Sequence, residues 1–381
     1  MAQVPSSSVL VAVLHWGLGH ATRSIPVIES LLSRGAMVCI AGSASSGLLL
    51  RKRFPDLPYY ELPDYGIRYS AKAGMTLAMI RNLPSIVRAI RGEKAMTAAI
   101  VAERNVELII SDNRYGVRHE RCKNILLTHQ LSPLLPSGSR FLSNAFLKKF
   151  NGLIKAFDAC WIPDRADRFF SGTLSETRVL KNEIRFTGPL SRFTDYTGQR
   201  QAHLDGWLAV LSGPEPQRSL FEKAVRQAAR RAGEKLCIVA GCPGNAIQSS
   251  QDVKIFPHLE DHELASLILS ASKVVMRSGY SSIMDLYALG RSALLVPTPG
   301  QSEQEYLAER HSAKGHFIMM RQKHLDLKRA EALLKECPPM PQRSRETLLN
   351  EALDEALSEL RLTKELIPER HLLETDFGSE K

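Results

Sequence analysis

The stretch Lys273-Val274-Val275-Met276-Arg277-Ser278-Gly279-Tyr280-Ser281-Ser282 runs from an apolar segment through a glycine turn into a helical pattern. Short, near-continuous apolar runs mark strands buried on both faces, and a helix entered through Gly and Ser turns its first N–H groups outward. The same step recurs twice. Residues 9–14 lead into Trp16-Gly17-Leu18-Gly19-His20, and residues 207–211 lead into Ser212-Gly213-Pro214-Glu215-Pro216. Working outward, residues 37–41, 108–111, 124–128, 159–162, 236–240, 253–256 and 293–296 read as further strands. Helical spacing at 21–33, 220–232, 262–270, 281–289 and 304–311 separates them. Strand and helix in alternation predict parallel sheets covered on both faces.

The alternation breaks between Gly188-Pro189 and Gly206, where the polar run Gln199 to His203 carries no core periodicity. At 381 residues the chain is long enough for two cores. The pattern is therefore α/β, two doubly wound Rossmann-like domains facing each other across a cleft. Their bounds are 1–195 and 205–325, followed by C-terminal helices and a charged tail at 326–381. In such sheets ligands sit beyond the carboxyl ends of the strands, which directs attention to the glycine turns.

Hydrophobic residues make up 44% and charged residues 24%, which excludes wholesale disorder. No run reaches the ~20 apolar residues of a membrane span. Residues 9–14 lack the preceding positive charge of a secretory leader, so they are expected to be a first strand. Six scattered cysteines without a C-x-x-C pair fit buried thiols of a reduced, cytoplasmic protein better than zinc or disulfides. The net charge of +10 is uneven: residues 1–200 hold 27 Lys/Arg against 15 Asp/Glu. One half is thus expected to face something anionic.

Each turn suggests a chemistry. Gly17 and Gly19 let a ligand approach the backbone, and His20 opens the following helix with a side chain able to take a proton near neutral pH. The turn is not a dinucleotide fingerprint, since Thr22 stands where a third glycine belongs. Around Gly279, helix-start N–H groups and the hydroxyls of Ser278, Ser281 and Ser282 suit a diphosphate. Asp285, one helical turn on, is placed for a vicinal diol such as ribose. The loop from Val296 to Glu305 adds Gln301, Gln304 and Glu305 beside it. Asp112 and His129 close two strands of the first half and are candidates to line an acceptor cleft. No Asp-x-Asp pair or His/Cys/Asp cluster has metal-ligand spacing, so neither metal nor cofactor is expected.

These segments together resemble glycosyltransferases of the GT-B fold. They are most similar to the family 28 group containing the N-acetylglucosaminyltransferase of peptidoglycan lipid intermediates. Gly17, Gly19 and His20 match the N-terminal Gly-rich turn, and the proposed base falls on His20. Arg277-Ser278-Gly279 matches the family's Arg-Ser-Gly segment, Asp285 its ribose-binding Glu, and Pro297, Gln304 and Glu305 its Pro with a Gln-Gln pair. The resemblance implies an acceptor-binding first domain, with Gly17, Gly19, Arg23, Asp112 and His129 near the acceptor. It implies a second domain that binds a nucleoside-diphosphate sugar, with UDP as the expected nucleotide, through Gly213, Arg277, Ser278, Gly279, Ser281, Ser282, Asp285, Gln301, Gln304 and Glu305. Transfer would be metal-independent, with Arg277 or Arg23 adding charge to the leaving group and the nucleotide sugar serving as substrate. Two features depart from the family. Gly300 and Ser302 replace the His and Asp of the sugar-binding loop, and the second Gly-rich loop is reduced to Ser212-Gly213-Pro214-Glu215. The donor sugar therefore does not carry over. A nucleotide-sugar epimerase or hydrolase, and a non-catalytic nucleotide-sugar-binding protein, remain as alternatives.

Arg68, Lys72, Arg81, Arg88, Arg91 and Lys94 punctuate one amphipathic segment. Lys148, Lys149 and Lys155 stand beside Phe141, Phe146, Phe150 and Phe157 in another. Basic helices with aromatics suit an anionic membrane surface, and the resemblance implies a lipid-linked or glycan acceptor on its inner face. Equally, the apolar stripes suit burial. Nucleic acid is not expected, because no reader motif is present.

Overall fold

Every residue of Ser8–Val13 is buried, as a strand covered on both faces must be. This strand, β1, forms the middle of a parallel sheet with β2 (Met37–Gly42), β3 (Tyr59–Glu61), β4 (Leu108–Asp112), β5 (Lys123–Leu127), β6 (Ala159–Ile162) and β7 (Glu183–Phe186). The order is β3-β2-β1-β4-β5-β6-β7. The computed structural model describes residues 7–65, 75–134, 140–177, 183–194, 196, 203–242, 252–338, 340–341 and 348–366. Helices α1 (Gly19–Ser33), α2 (Ala44–Arg53), α3 (Met75–Arg104) and α4 (Arg140–Ile154) connect the strands.

The second sheet repeats the plan with β8 (Leu204–Val210), β9 (Leu236–Val239), β10 (Val253–Phe256), β11 (Ala271–Met276), β12 (Leu294–Leu295) and β13 (Ile318–Met319), in the order β10-β9-β8-β11-β12-β13. It is covered by α5 (Gln217–Ala232), α6 (Asp261–Ser270), α7 (Tyr280–Ala288), α8 (Ser302–Ala313) and α9 (Leu327–Glu336). In both sheets the strand order reverses beside the first strand. The crevices are therefore at β1/β4 and at β8/β11.

The two C-terminal helices do not form a unit of their own, and the charged tail from residue 367 lies outside the described residues. Leu327 and Ala330 of α9 stay on the second domain, in one cluster with Trp207 and Val225. Helix α10 (Leu348–Leu366) returns to the first: Ala352, Leu353, Ala356 and Leu357 line one face and pack with Val9, Ile25 and Ile28. That spacing is a helical stripe, and a fully buried Leu such as Leu353 contributes about 1.5–3 kcal/mol.

The basic segments are only partly as expected. Arg88, Arg91 and Lys94 of α3 are exposed, as are Lys148, Lys149 and Lys155. Phe157, however, is buried with Leu126 and Ile154, and Phe150 packs against the same cluster. These two aromatics stabilise the domain and do not face a membrane. Arg68 and Lys72 and the side chains of Arg81, Phe141 and Phe146 lie outside the described residues. No described helix is long and apolar enough to cross a membrane.

Candidate active site

Four strand ends meet at the seam between the domains. From the first sheet come the β1–α1 turn and the end of β4, which are neighbours because Val13 pairs with Asp112. From the second come the turns after β8 and β11. Gly17 and Gly213 adopt φ of +77° and +97°, a left-handed backbone that glycine takes without strain. A Cβ on Gly17 would sit 4.0 Å from the Gly213 Cα, and one on Gly19 only 2.8 Å from the Ser281 Oγ. The expected cleft is thus closed at this point. Ser281 Oγ donates to the Gly19 carbonyl at 2.9 Å, and the glycines are what let two backbones approach so closely.

Two helix N-termini face this seam. Helix α1 is capped by Leu18 and α7 by Gly279, and neither has a side-chain cap. Their first-turn N–H groups lack intrahelical partners by construction, so each end carries partial positive charge.

His20 stands in the first turn of α1. Its Nδ1 lies 2.8 Å from Asp112 Oδ1 and 2.9 Å from Arg23 Nη2. The side chain keeps 12% of its surface exposed, whereas Asp112 keeps 1% and Arg23 2%. Arg23 Nε donates to Asp112 Oδ2 at 2.7 Å, and its Nη2 also reaches Oδ1. Burial alone would raise the Asp112 carboxyl, but Arg23 and His20 outweigh it and hold the group well below the usual carboxylate range. An ionised carboxylate against Nδ1 favours the Nδ1–H tautomer, which leaves Nε2 with its lone pair. Among the described residues Nε2 has no hydrogen-bond partner. Such an imidazole can accept a proton.

Asp112, Arg23 and His129 were expected at the acceptor. All three are buried, and Asp112 and Arg23 bond directly to the His20 ring. His129 sits between Arg23 Nη1 at 3.1 Å and Glu303 Oε1 at 2.9 Å, and its ring stacks on Tyr280 at 3.8 Å. Nothing in the spacing of Glu303 or Tyr280 marked them. Their partners lie more than a hundred residues away, and only the docking of the two domains brings them together.

The second-domain residues divide similarly. Arg277 is buried, donates to the carbonyls of Val296, Pro297 and Gln217, and lies over the Phe221 ring at 4.1 Å. Desolvation lowers its guanidinium to about 9. Its donors bind loops together, so it is not placed to lend charge to a leaving group. Ser278 Oγ donates to the Gln304 carbonyl at 2.8 Å, and Ser281 is engaged with Gly19. Of the three hydroxyls expected at a diphosphate, only half-buried Ser282 is without a hydrogen-bond partner among the described residues. Gln304 Oε1 accepts from Thr298 N at 2.9 Å and Glu305 Oε1 from Gly300 N at 3.2 Å, so both side chains shape their own loop. Gln301 caps α8 at the same turn.

Asp285 accepts from Ser191 Oγ at 2.5 Å, and Arg192 Nε lies 3.8 Å from its other oxygen. Burial pushes its carboxyl up to about 6. The interdomain segment thus occupies the acid expected to hold a ribose. Beside this contact a cavity of about 380 Å³ opens between the domains, lined by Arg53, Ser191, Arg192, Glu260, Asp261 and His262 among others.

Residues 212–364 match the glycosyltransferase family 28 C-terminal domain. That match, confined to the second half, marks the chain as a glycosyltransferase. Among named relatives of this glycosyltransferase is the UDP-N-acetylglucosamine--N-acetylmuramyl-(pentapeptide) pyrophosphoryl-undecaprenol N-acetylglucosamine transferase of Haemophilus influenzae (strain PittEE). It is 22% identical over 302 residues, 76% of this chain and 78% of the relative. The protein of the same name from Desulforudis audaxviator (strain MP104C) is 33% identical over 84 residues, which is 22% of each chain. In structure the chain is similar to the glycotransferase of kitacinnamycin, with a TM-score of 0.64, 14% identity and coverage of 96% of this chain and 100% of that one. That likeness shows the fold, GT-B.

Proposed function

We propose that this glycosyltransferase moves a sugar from a nucleoside diphosphate, with UDP as the carrier, to an acceptor hydroxyl, with His20 as general base. One observation supports this above the others: an imidazole held by a buried carboxylate stands where two uncapped helix N-termini meet. The acceptor oxygen bonds to the anomeric carbon while the bond from that carbon to the diphosphate breaks. The acceptor proton passes to His20 Nε2, and the electron pair leaves with the diphosphate. The α7 N–H groups and Ser282 receive that charge, which dipoles fixed in place stabilise without reorganising. On this reading no metal is needed, and chelators leave the rate unchanged.

The nucleoside extends toward the 380 Å³ cavity, a volume in the usual range of ligand sites. Asp285 then exchanges Ser191 for a ribose hydroxyl. The relatives' names specify a UDP-linked donor and an undecaprenol-linked acceptor. A lipid-linked acceptor suits a first half with 27 basic and 15 acidic residues, and a peripheral position on an anionic membrane face. Gly300 and Ser302 leave the donor sugar open.

The test is a labelled UDP-N-acetylglucosamine incubated with the protein and an undecaprenol-linked acceptor. Label in the lipid fraction supports transfer. Label released as free sugar makes the protein a hydrolase.

A further inference from the structure

Glu303 belongs to the second domain, in the first turn of α8, yet its carboxylate is engaged by the first. Oε1 meets His129 Nε2 at 2.9 Å, and Oε2 accepts from Gln130 Nε2. His129 in turn receives Arg23 Nη1 on its Nδ1 at 3.1 Å. A guanidinium only donates, so Nδ1 of His129 accepts and its Nε2 carries the proton given to Glu303. The ring is therefore neutral and fixed in one tautomer, clamped flat on Tyr280, whose own hydroxyl donates to Pro163 O at 2.9 Å. From Glu303 the contacts run unbroken through His129, Arg23 and Asp112 to His20. Four elements contribute: α8, the end of β5, α1 and the end of β4.

Arg23 is the decisive member. Its Nη2 lies against both Asp112 and His20 Nδ1. Two tautomers of His20 compete at that point. Asp112 selects Nδ1–H and leaves Nε2 able to accept a proton. Arg23, donating to Nδ1, would put the proton on Nε2 and leave it unable to act. His129 draws the other end of the guanidinium away through Nη1, and Glu303 holds His129. The charged and titratable groups facing His20 are Asp112 and Arg23, with His129 and Glu303 acting at longer range; those facing His129 are Glu303, Arg23 and Tyr280, with His20 acting at longer range.

Resting on the reading of His20 as base, we propose that Glu303 is a positioning residue: it holds Arg23, through His129, in the orientation that gives His20 its reactive tautomer, and does so only while the donor domain is docked. An undocked donor domain then leaves His20 unready. Base and donor are brought into register by the same contact.

The experiment compares Glu303→Ala, Glu303→Gln and His20→Ala with the unmodified enzyme. It measures kcat, KM for the UDP-sugar, the pH profile of kcat and the ¹⁵N shifts of His20. Glu303→Ala is expected to lower kcat roughly tenfold to hundredfold, the usual cost of losing a group that orients a functional histidine. KM for the donor stays within about twofold, the acid limb of the pH profile moves, and the His20 shifts turn toward Nε2–H. Glu303→Gln, whose amide oxygen still accepts from His129, recovers most of the loss. Should Glu303→Ala not fold, Glu303→Ser removes the same contact with a small polar side chain. An unchanged kcat and pH profile, or a loss confined to donor KM, overturns the proposal. A normal rate in His20→Ala removes the underlying reading and this proposal with it. A lost rate in His20→Ala beside a normal Glu303→Ala removes this proposal alone.

Discussion

Asp112 Oδ1 lies 2.8 Å from His20 Nδ1, and the two residues are joined through the sheet as well as through space, because Asp112 ends β4 and pairs with Val13 of β1. The strand that feeds the histidine and the strand that carries its carboxylate are the two that flank the topological switch point. Their proximity is a consequence of strand order, not of a sequence motif.

Replacing His20 with Asn keeps a polar side chain at the helix start and removes the proton acceptor. Transfer is expected to fall by ~10²–10⁴-fold, while UDP affinity stays close to that of the parent. Initial rates and calorimetric titration measure the two separately. Loss of UDP binding alongside the rate would assign His20 to the donor.

Gly19→Ala places a Cβ 2.8 Å from Ser281 Oγ and 3.3 Å from Ser281 Cβ, too close for the seam to remain as it is. The rate is expected to drop. Ser281→Gly removes both opposing atoms, so the double variant should regain activity relative to Gly19→Ala. A double-mutant cycle with strong positive coupling confirms direct contact across the domains, whereas simple additivity denies it.

Glu93 and Arg114 form a buried pair at 2.9 Å, away from His20, and Glu93 also accepts from Gly116 N. Burial pushes the Glu93 carboxyl up. Glu93→Ala strands an arginine in the interior and is expected to cost roughly 3–5 kcal/mol. Urea denaturation reads this loss. A change below about 1 kcal/mol would mean the pair is not buried as described.

Much of this architecture was legible before any coordinates. The central strands are short unbroken apolar runs because they are covered on both faces. Tyr59–Glu61, Glu183–Phe186 and Ile318–Met319 are edge strands absent from the apolar pattern, the first two because they are short and partly polar, the last because it is only two residues long. Helix α2 is absent from it because Leu50 is its one large buried apolar side chain. At the site, the glycine turns and His20 were visible from local pattern. The work of Asp112, Arg23, His129, Tyr280 and Glu303 was not, since it depends on side chains meeting across strand ends and across domains. Arg277 and Ser278 illustrate the converse: placed at the right turn by spacing, they face inward and bind loops.

Burial holds His311 down at about 4. Its Nε2 lies 3.1 Å from the Phe170 carbonyl, to which it donates. Between the unfolded value of about 6.5 and the folded value of about 4, the unfolded chain takes up a proton that the folded chain refuses. Stability from this residue is full above that window and is lost as pH falls through it. Asp285, raised to about 6, works in the opposite sense, its contribution falling as pH rises from its ordinary value. Comparison with His311→Gln isolates the histidine. Between about pH 7.5 and pH 5 the parent should lose more Tm than the variant; parallel curves would contradict the assignment.

The account stands on a diphosphate held at the start of α7. Calorimetric titration of UDP and uridine into the parent and into Ser282→Asp tests it most directly, because an acid in a first helical turn favours the helix while repelling an anion from its end. UDP should bind the parent far more tightly than uridine does, and Ser282→Asp should erase that difference while melting no lower. Equal affinity for UDP in both proteins, or no preference for UDP over uridine, would contradict it.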